Sequence, residues 1–482
     1  MTESSLIKRN SFFSLLSMSS RLIANVIVFW LIARIYGPDT FGTFTFAHTT
    51  ATLLILLADF GFDILLTTEI SRDREQAVKI FQNIFSYKII FSVASVLIMW
   101  IFSFQGNYSY ESRISLWIFS FFILFTTLTN FSLALIKGFE KFSYESVVLV
   151  IANLSLVIIV IVLSFIKVNI LIIAIAFVLT RLFGLVFSVY YDKKLVPDLS
   201  FRISFPKEKE LHKKVLIFGF HLLFANLFFQ IDTILLSLWK GNLYVGIYQA
   251  VFKLIILPLM IPDILNFTLL PVLSRLFATD REKAIKISFL MNKLLFFLAL
   301  PITLILFVYA EDIINIIYGY KQYSDSIPIL KIFAFNIFIR FSFEAFALML
   351  TTNNRQIIRM TTVILATIIN LALNYLLIPE YGVNGAATVS LISIIFVYGV
   401  YSIYYFELLK KWYMNFQTPV LVGITILMGY ILLNINHLKI YFGLPLVLVI
   451  FIIIGFLFYF SEEDRRLLFS NNFNFLNFIK KS

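Results

Sequence analysis

The sequence predicts an all-α polytopic membrane protein of about 14 transmembrane helices, forming two pseudo-symmetric six-helix lobes plus two C-terminal helices. Hydrophobic residues make up 60% of the 482 residues and charged residues 14%, against about 25% charged residues in an ordinary soluble domain. The mean hydropathy is +0.92. Apolar runs recur along the chain, each with the roughly 20 residues that a helix needs to cross the hydrocarbon core. This composition excludes a soluble enzyme, a disordered chain and a nucleic-acid-binding protein.

Polar breaks divide the apolar runs into predicted spans. These spans are residues 12–36, 41–66, 80–104, 114–136, 143–166, 168–191, 215–239, 243–273, 287–310, 327–350, 357–379, 383–406, 417–434 and 440–460. Spans one to six form a predicted N-terminal lobe, residues 1–191, and spans seven to twelve a predicted C-terminal lobe, residues 215–406. Residues 192–214 are predicted to form a cytoplasmic linker between them. Residues 407–482 hold the last two spans and a cytoplasmic tail.

Lysine and arginine concentrate in alternate loops, and this asymmetry predicts the orientation. The loops after even-numbered spans and the tail hold most of them: Arg72, Arg74, Lys79, Lys137, Lys141, Lys193, Lys194, Arg202, Lys207, Lys209, Lys213, Lys214, Arg275, Arg281, Lys283, Lys286, Arg355, Arg359, Lys410, Lys411, Arg465, Arg466, Lys480 and Lys481. The opposite loops hold Arg113, Lys167, Lys240, Lys321 and Lys439. Because positively charged loops stay in the cytoplasm, both termini are predicted to be cytoplasmic. The opposite loops are too short for a catalytic domain, so the protein is predicted not to be an enzyme.

The sequence contains no cysteine, and its four histidines, His48, His212, His221 and His437, lack the spacing of metal ligands. Disulfides, thiolate chemistry and cysteine-ligated metals are therefore excluded, and neither a metal site nor a cofactor is predicted. The formal net charge of +12 is explained by the cytoplasmic loops, so no nucleic-acid partner is predicted. The first apolar run lacks a convincing cleavage site, so we expect it to be a retained helix.

The two halves of the sequence resemble each other in register. The matching segments, at an offset of about 201 to 204 residues, are Arg21-Leu-Ile-Ala-Asn25 with Leu222-Leu-Phe-Ala-Asn226, Gly42 with Gly246, and Ser71-Arg72 with Ser274-Arg275. Since each copy contains an even number of spans, both copies have the same orientation. Two such copies related by an axis along the membrane normal are typical of transporters that alternate around a central site.

Four cations are candidates for an inner surface of the bundle because of their depth in predicted spans, where a charge is costly unless it faces protein or water. Arg21, Arg181 and Arg340 lie near the midpoints of spans one, six and ten, and Lys253 lies in the outer half of span eight. Guanidinium groups bind phosphate and carboxylate oxygens bidentately and stay charged at any depth. The sequence therefore predicts a cationic substrate-binding cavity. Amides from the polar stripes of spans one and seven complete its predicted lining: Asn25, Asn226 and Gln230.

Acidic residues and one histidine within the spans are candidates for ion coupling: Asp59, Asp232, Asp263, Glu344 and His48. Carboxylates in membrane helices often relay protons or bind sodium, and the sequence leaves proton coupling, sodium coupling and no coupling open. Structural interpretations stay open as well. Arg340 and Glu344 lie four residues apart on one helix, where they could simply neutralise each other. Lys253 could extend to the outer headgroups.

Four motifs stand out along the chain: Ala33-Arg-Ile-Tyr-Gly-Pro-Asp-Thr-Phe-Gly42, Asp59-Phe-Gly-Phe-Asp63, Ile136-Lys-Gly-Phe-Glu140 and Asn370-Leu-Ala-Leu-Asn374-Tyr-Leu-Leu-Ile-Pro379-Glu-Tyr-Gly-Val-Asn-Gly385-Ala-Ala-Thr388. With these motifs the chain resembles Wzx-type lipid-linked oligosaccharide flippases, the exporters of O-antigen and capsular repeat units. This family belongs to the multidrug/oligosaccharidyl-lipid/polysaccharide exporter (MOP) superfamily. The last motif is the most specific, and the resemblance covers most of residues 10–410.

The resemblance implies a pair of six-helix lobes that alternate between inward-open and outward-open states in the bacterial inner membrane. The implied substrate is an undecaprenyl-pyrophosphate-linked oligosaccharide, moved from the cytoplasmic to the periplasmic leaflet. Arg21, Arg181, Arg340 and Lys253 would then line a cationic lumen for the pyrophosphate and any acidic sugars. A polysaccharide polymerase and a chain-length regulator are the implied protein partners.

Two other functions compete with this interpretation. A multidrug antiporter of the same superfamily would share the fold but carry a smaller, cationic substrate, which the excess of arginine at mid-span disfavours. A membrane polysaccharide polymerase or ligase would need a sizeable periplasmic loop, which the sequence lacks. A scaffold protein would have no need for buried arginine.

Overall fold

The computed structural model describes residues 3–106, 108–203, 230–434, 440–462 and 464–465, and within these ranges the chain contains no strand. The helices are α1 (Glu3–Asp59), α2 (Phe62–Arg72), α3 (Ala77–Gln105), α4 (Tyr110–Gly138), α5 (Phe142–Phe165), α6 (Ile170–Leu195), α7 (Asn242–Thr279), α8 (Arg281–Val308), α9 (Ala310–Ile317), α10 (Tyr320–Tyr323), α11 (Ser326–Thr352), α12 (Gln356–Tyr404), α13 (Phe406–Tyr413), α14 (Gln417–Asn434) and α15 (Ile440–Ile454). A π-helical turn, Gly455–Tyr459, follows α15. Residues 230–239 are also helical.

The predicted all-α multi-pass fold is confirmed. Eleven helical segments among the described residues are long and apolar enough to cross a membrane. Two of them, Phe12–Arg72 with 61 residues and Gln356–Tyr404 with 49 residues, each cover two predicted spans. The predicted seventh span, 215–239, lies largely outside the described residues.

Glycine and proline break the two longest helices between the predicted spans. In α1, Gly37 has φ 76° and is followed by Pro38. In α12, Gly382 has φ 56° and lies shortly after Pro379. Glycine adopts positive φ without the strain that a side chain would cause, so the chain can change direction at both points. Just before the second break, the Pro379 carbonyl accepts a hydrogen bond of 2.6 Å from Lys240 Nζ.

The chain packs into two compact units. Unit 1 comprises Met1–Ala250 and Asn374–Val383. Within it, α1 packs against α3, α4 and α5, and α4 packs against α6. An aromatic core forms where α2, α3 and α4 meet, with Phe62, Phe81 and Phe131 almost completely buried. These packed helices fix the positions of the polar residues on α1, α3, α4 and α6.

Unit 2 comprises Val251–Leu373 and Asn384–Ser482. In this unit α8 packs against α11, and the C-terminal helices α14 and α15 also pack against α8. Lys293 of α8 is 7% exposed, and its Nζ lies 2.6 Å from Asp464 Oδ2. Burial alone would raise the pKa of the Asp464 carboxyl, but hydrogen bonds from Lys293 and Ser461 hold that pKa below its ordinary value. This ion pair ties the end of the described chain to α8.

A reciprocal contact in unit 1 supports the internal repeat. A Cβ atom added at Gly42 would overlap the backbone carbonyl of Asn242, and one added at Gly246 would overlap the carbonyl of Pro38. Positions 38 and 242 are 204 residues apart, as are positions 42 and 246. Gly42 therefore contacts Asn242, and its repeat equivalent Gly246 contacts Pro38, the repeat equivalent of Asn242. Such reciprocity is the property of a two-fold contact between equivalent segments.

Candidate functional site

Arg21 and Arg181, two of the predicted cavity residues, come together in unit 1 and are called the arginine pair below. Arg21 is exposed on α1, Arg181 is partly buried on α6, and the two side chains interact electrostatically. The guanidinium carbon of Arg181 lies 5.6 Å from the centroid of the Phe122 ring. Its Nε has no hydrogen-bond partner among the described residues. The pair thus joins two like charges and retains an unused hydrogen-bond donor.

Glu145 of α5 is the acidic neighbour of the arginine pair. It is 8% exposed and interacts electrostatically with Arg21. Its Oε1 lies 3.9 Å from Lys137 Nζ, and its Oε2 has no hydrogen-bond partner in the described part of the chain. One carboxylate therefore balances only part of the charge of three cations, and the local charge is positive.

Hydroxyl contacts between α1 and α5 position the arginine pair. Ser17 Oγ lies 2.8 Å from Ser146 Oγ, and Asn153 Nδ2 donates to Ser20 Oγ at 3.2 Å. Ser17 and Ser20 both precede Arg21 within one turn of α1. The hydrogen bonds of these two serines therefore fix the backbone that carries the Arg21 side chain. Part of the predicted polar stripe of span one is therefore used in helix packing.

His48 lies in an aromatic cluster beside the arginine pair. Its ring centroid is 5.0 to 6.3 Å from five phenylalanine centroids: Phe29, Phe44, Phe119, Phe122 and Phe177. Phe122 also contacts the Arg181 guanidinium, so one ring contacts both His48 and that cation. His48 remains a predicted ion-coupling residue.

Asp59 belongs to a buried cluster that we call the lysine triad. Lys88 of α3 is fully buried, and its Nζ lies 2.9 Å from Asp59 Oδ1 and 2.8 Å from Asp63 Oδ1. The Asp63 backbone N–H also donates to Asp59 Oδ1 at 3.2 Å. Phe60 and Gly61, with φ 43° and 87°, break the chain between α1 and α2 and bring the two carboxylates to one ammonium.

Asp232 is held by neutral donors in unit 1 and is 3% exposed. The Tyr248 hydroxyl donates to its Oδ2 at 2.7 Å, and Asn374 Nδ2 donates to its Oδ1 at 2.6 Å. Nearby, Gln249 Nε2 donates to Thr233 Oγ1 at 2.6 Å. The Asn374 contact connects the helical residues 230–239 to the part of α12 that precedes the break at Gly382.

Arg340, Asp263 and Glu344 form a charge network in unit 2. Arg340 Nη2 forms an ion pair with Asp263, and its Nε lies 3.5 Å from Glu344 Oε2. Glu344 also accepts hydrogen bonds from Asn266 Nδ2 at 2.6 Å and from the Tyr398 hydroxyl at 2.5 Å. The network therefore joins α7, α11 and α12, and it contains the Arg340–Glu344 pairing that the sequence left open.

The other predicted site residues have simpler surroundings. Asn25, Gln230 and Lys253 are partly buried, and Lys253 belongs to unit 2. Asn226 lies outside the described residues, as do His212, His221 and His437. Across the part of the chain that the structure describes, no group of three or more His, Asp or Glu side chains could hold a metal ion.

Among the described residues, sequence reasoning missed the two charged residues with no exposed surface, Lys88 and Asp192, each 0% exposed. Lys88 lies inside the predicted span 80–104. Its position within a span, the criterion that identified Arg21, would therefore have identified Lys88 as well. Asp192 lies one residue beyond the predicted sixth span and so counted as a linker residue. The partners of both residues come from other helices, which sequence spacing does not reveal.

Solved structures share this fold. The lipid II flippase MurJ in an inward closed conformation matches with a TM-score of 0.69 at 15% identity, covering 93% of this chain and 97% of that chain. An inward-facing multidrug resistance MATE family transporter matches with a TM-score of 0.60 at 14% identity, covering 82% and 99%. A MOP superfamily transporter from Pyrococcus furiosus, with reversed polarity of its binding pocket, matches with a TM-score of 0.54 at 14% identity, covering 84% and 96%.

Sequence comparison gives the family. No curated protein sequence matches the chain. The family model described as polysaccharide biosynthesis protein matches residues 7–277, and the MatE model matches residues 218–376. The first match covers 271 of the 482 residues, which is more than half of the chain. The chain therefore belongs to the polysaccharide biosynthesis protein family, and its multi-pass helical fold is that of MOP superfamily transporters.

Proposed function

We propose that the protein is a Wzx-type flippase that moves undecaprenyl-pyrophosphate-linked oligosaccharide repeat units across the bacterial inner membrane by alternating access. The repeat units would serve O-antigen or capsular polysaccharide biosynthesis, with a polymerase and a chain-length regulator acting next. Membership of the polysaccharide biosynthesis protein family supports this function. The fold shared with the lipid II flippase MurJ, whose name states a lipid-linked substrate, supports it further.

The arginine pair is the observation that carries the proposal. Two guanidinium groups placed within electrostatic reach of each other repel, and among the described residues the buried carboxylate of Glu145 is the one acidic group that interacts with Arg21. A pyrophosphate would relieve this repulsion, because its oxygens accept the paired N–H groups of a guanidinium fork. Charge-assisted hydrogen bonds of this kind contribute about 1.5–3 kcal/mol each. The Nε of Arg181 is buried and has no hydrogen-bond partner among the described residues, and we assign it to such a contact.

We include the two predicted lobes, residues 1–191 and 215–406, and cytoplasmic termini in the proposal. Arg340 and Lys253 are its cationic residues in unit 2. Asp232 is its first candidate for ion coupling, because it is 3% exposed and its two oxygens accept hydrogen bonds from Tyr248 and Asn374. Asp59, Asp263, Glu344 and His48 are further candidates.

A multidrug antiporter is the second candidate, because the MatE model matches residues 218–376 and a MATE transporter shares the fold. A cationic drug would be repelled by the arginine pair, which is why we rank this function second. A dye-efflux assay in cells that express the protein separates the two functions.

The test is the leaflet location of undecaprenyl-pyrophosphate-linked repeat units in cells that lack the protein. Wild type should relieve accumulation in the cytoplasmic leaflet. Arg21→Ala or Arg181→Ala should lower the translocation rate roughly 10- to 100-fold, the loss of one charged contact. Arg21→Lys should cost less, since it keeps the charge but loses the fork. Arg340→Ala tests the cation of unit 2 in the same assay.

Arg72→Ala is the matched control, because Arg72 is 67% exposed and its ion pair within the described residues is to its neighbour Glu69. It should translocate at the wild-type rate when protein levels are equal. Normal arrival of repeat units in the periplasmic leaflet without the protein would refute the flippase function. An arginine variant that translocates at the rate of Arg72→Ala would remove that arginine from the proposed site.

A further inference from the structure

Asp192 is a buried carboxyl group that the transport site does not use. It lies in the last turn of α6 and is 0% exposed. Its Oδ2 is hydrogen-bonded to the Ser132 hydroxyl of α4, and Ser132 is itself 2% exposed. Its Oδ1 is buried and has no hydrogen-bond partner among the described residues. The whole carboxyl group therefore has one polar side-chain contact, to a neutral hydroxyl.

Charged side chains on α6 and on the helices that pack near it are exposed or interact with groups other than Asp192. On α4, Lys137 points to Glu145 of α5. On α6 itself, Lys193 and Lys194 are exposed, and Lys194 Nζ lies over the Tyr144 ring at 5.7 Å. On α1, Arg21 interacts with Arg181 and Glu145. No ion pair to Asp192 is present in the described ranges.

An ionised carboxylate in this position would be very costly. A buried charge without a counter-charge costs several kcal/mol even after relaxation, and such a group takes up a proton instead. With the proton on Oδ2, the carboxyl donates to Ser132 Oγ and Oδ1 becomes a neutral carbonyl oxygen. An unmet neutral acceptor costs less than an unmet charged one, which makes the bare Oδ1 tolerable.

We propose that Asp192 is a proton-binding site, and that its protonated carboxyl group joins the end of α6 to α4 through Ser132. The proton comes from hydronium in the solvent: one O–H bond of H3O+ breaks, leaving water, as the O–H bond on Oδ2 forms. Loss of that proton would place a negative charge between α4 and α6, so ionisation favours separation and hydration of their ends. Proton binding at Asp192 thus favours the packing of α4 against α6. These helices also carry Phe122, on α4, and Arg181 of the arginine pair, on α6.

Infrared spectroscopy of the full-length protein in detergent at neutral pH tests the proposal directly. Wild type should show a protonated-carboxyl C=O stretch that Asp192→Asn lacks. Ser132→Ala should keep this band but shift it, because the carboxyl loses its hydrogen bond and keeps its proton. Asp198→Asn is the matched control, since Asp198 is exposed six residues further on, and it should leave the band unchanged. A spectrum of Asp192→Asn identical to that of wild type overturns the proposal.

Thermal unfolding against pH gives a second, independent readout. An unfolded aspartate ionises above about pH 4, whereas the folded protein keeps the proton. Raising the pH above about 4 should therefore lower the wild-type melting temperature relative to that of Asp192→Asn. An ionised, structurally paired Asp192 would instead make Asp192→Asn the less stable protein above about pH 4, where that aspartate carries its charge. Neither measurement uses a transport substrate, so their results test the proton site independently of the proposed flippase function.

Discussion

Lys88 is a fully buried cation, and two carboxylates compensate its charge. Its ammonium contacts Asp59 and Asp63 at 2.9 and 2.8 Å, and it also lies 5.7 Å from the centroid of the Phe131 ring. The lysine triad therefore fixes α3 to the break between α1 and α2. Removing one partner of a buried ion pair is costly, because the remaining charge stays buried without compensation.

Lys88→Met should lower the free energy of unfolding by up to about 3–5 kcal/mol, because it leaves two partly buried carboxylates, 19% and 16% exposed, without a cation. The measurement is chemical or thermal unfolding in detergent. Removing the exposed Arg72–Glu69 pair by Arg72→Ala should cost at most about 1 kcal/mol and serves as the control. Equal stability of the two variants would mean that the triad contributes no more than a surface pair. Adding Asp59→Asn and Asp63→Asn to Lys88→Met should recover part of the loss.

The crossing of α1 and α7 depends on two glycines. At Gly42 and Gly246 the neighbouring atoms are backbone carbonyls, which cannot move aside as a flexible side chain could. Asn242 strengthens the crossing, since its Nδ2 donates to Thr43 Oγ1 at 2.9 Å and to Ser112 Oγ at 2.5 Å. The two helices therefore approach at backbone contact and are joined by polar side chains at the same level.

Gly42→Ala should destabilise the protein by about 1–3 kcal/mol, the usual cost of overpacking, because the added methyl group forces α1 and α7 apart. Gly399→Ala is the matched control, since nothing lies within 4 Å of a Cβ atom at this helical glycine. Alanine should stabilise that helix by about 0.5–1 kcal/mol. Unfolding measurements on both variants decide the question. A Gly42→Ala protein as stable as Gly399→Ala would mean that the crossing yields without cost.

The helices and their breaks were predictable from sequence, but the contacts between helices were not. Hydropathy marks a helix because each span must be apolar along its whole length, and Gly37-Pro38 and Pro379 with Gly382 mark the breaks by local chemistry. Depth within a span marked Arg21 and Arg181 as charges in need of partners. The pairing of Lys88 with Asp59 depends on how separate helices pack, as does that of Asp192 with Ser132. Periodicity along one helix carries no record of such packing.

The topology of the whole molecule depends on the predicted seventh span. Residues 110 and 414 are separated by predicted spans four to twelve, which is nine crossings. The described helices account for eight of them when α12 counts as two across Gly382. An odd number of crossings places the two residues on opposite sides of the membrane, whereas eight would place them on the same side. The side of each residue therefore tests that span and the orientation together.

Single-cysteine labelling can measure this, because the sequence contains no cysteine and each variant carries one thiol. Tyr110 and Met414 are similarly exposed, at 79% and 80%, so accessibility differences between Tyr110→Cys and Met414→Cys report the side of the membrane. An impermeant maleimide should label Tyr110→Cys in intact spheroplasts and Met414→Cys only after lysis, because basic loops stay in the cytoplasm. Labelling of both from one side would contradict the seventh span. The reverse pattern would keep nine crossings but invert the protein.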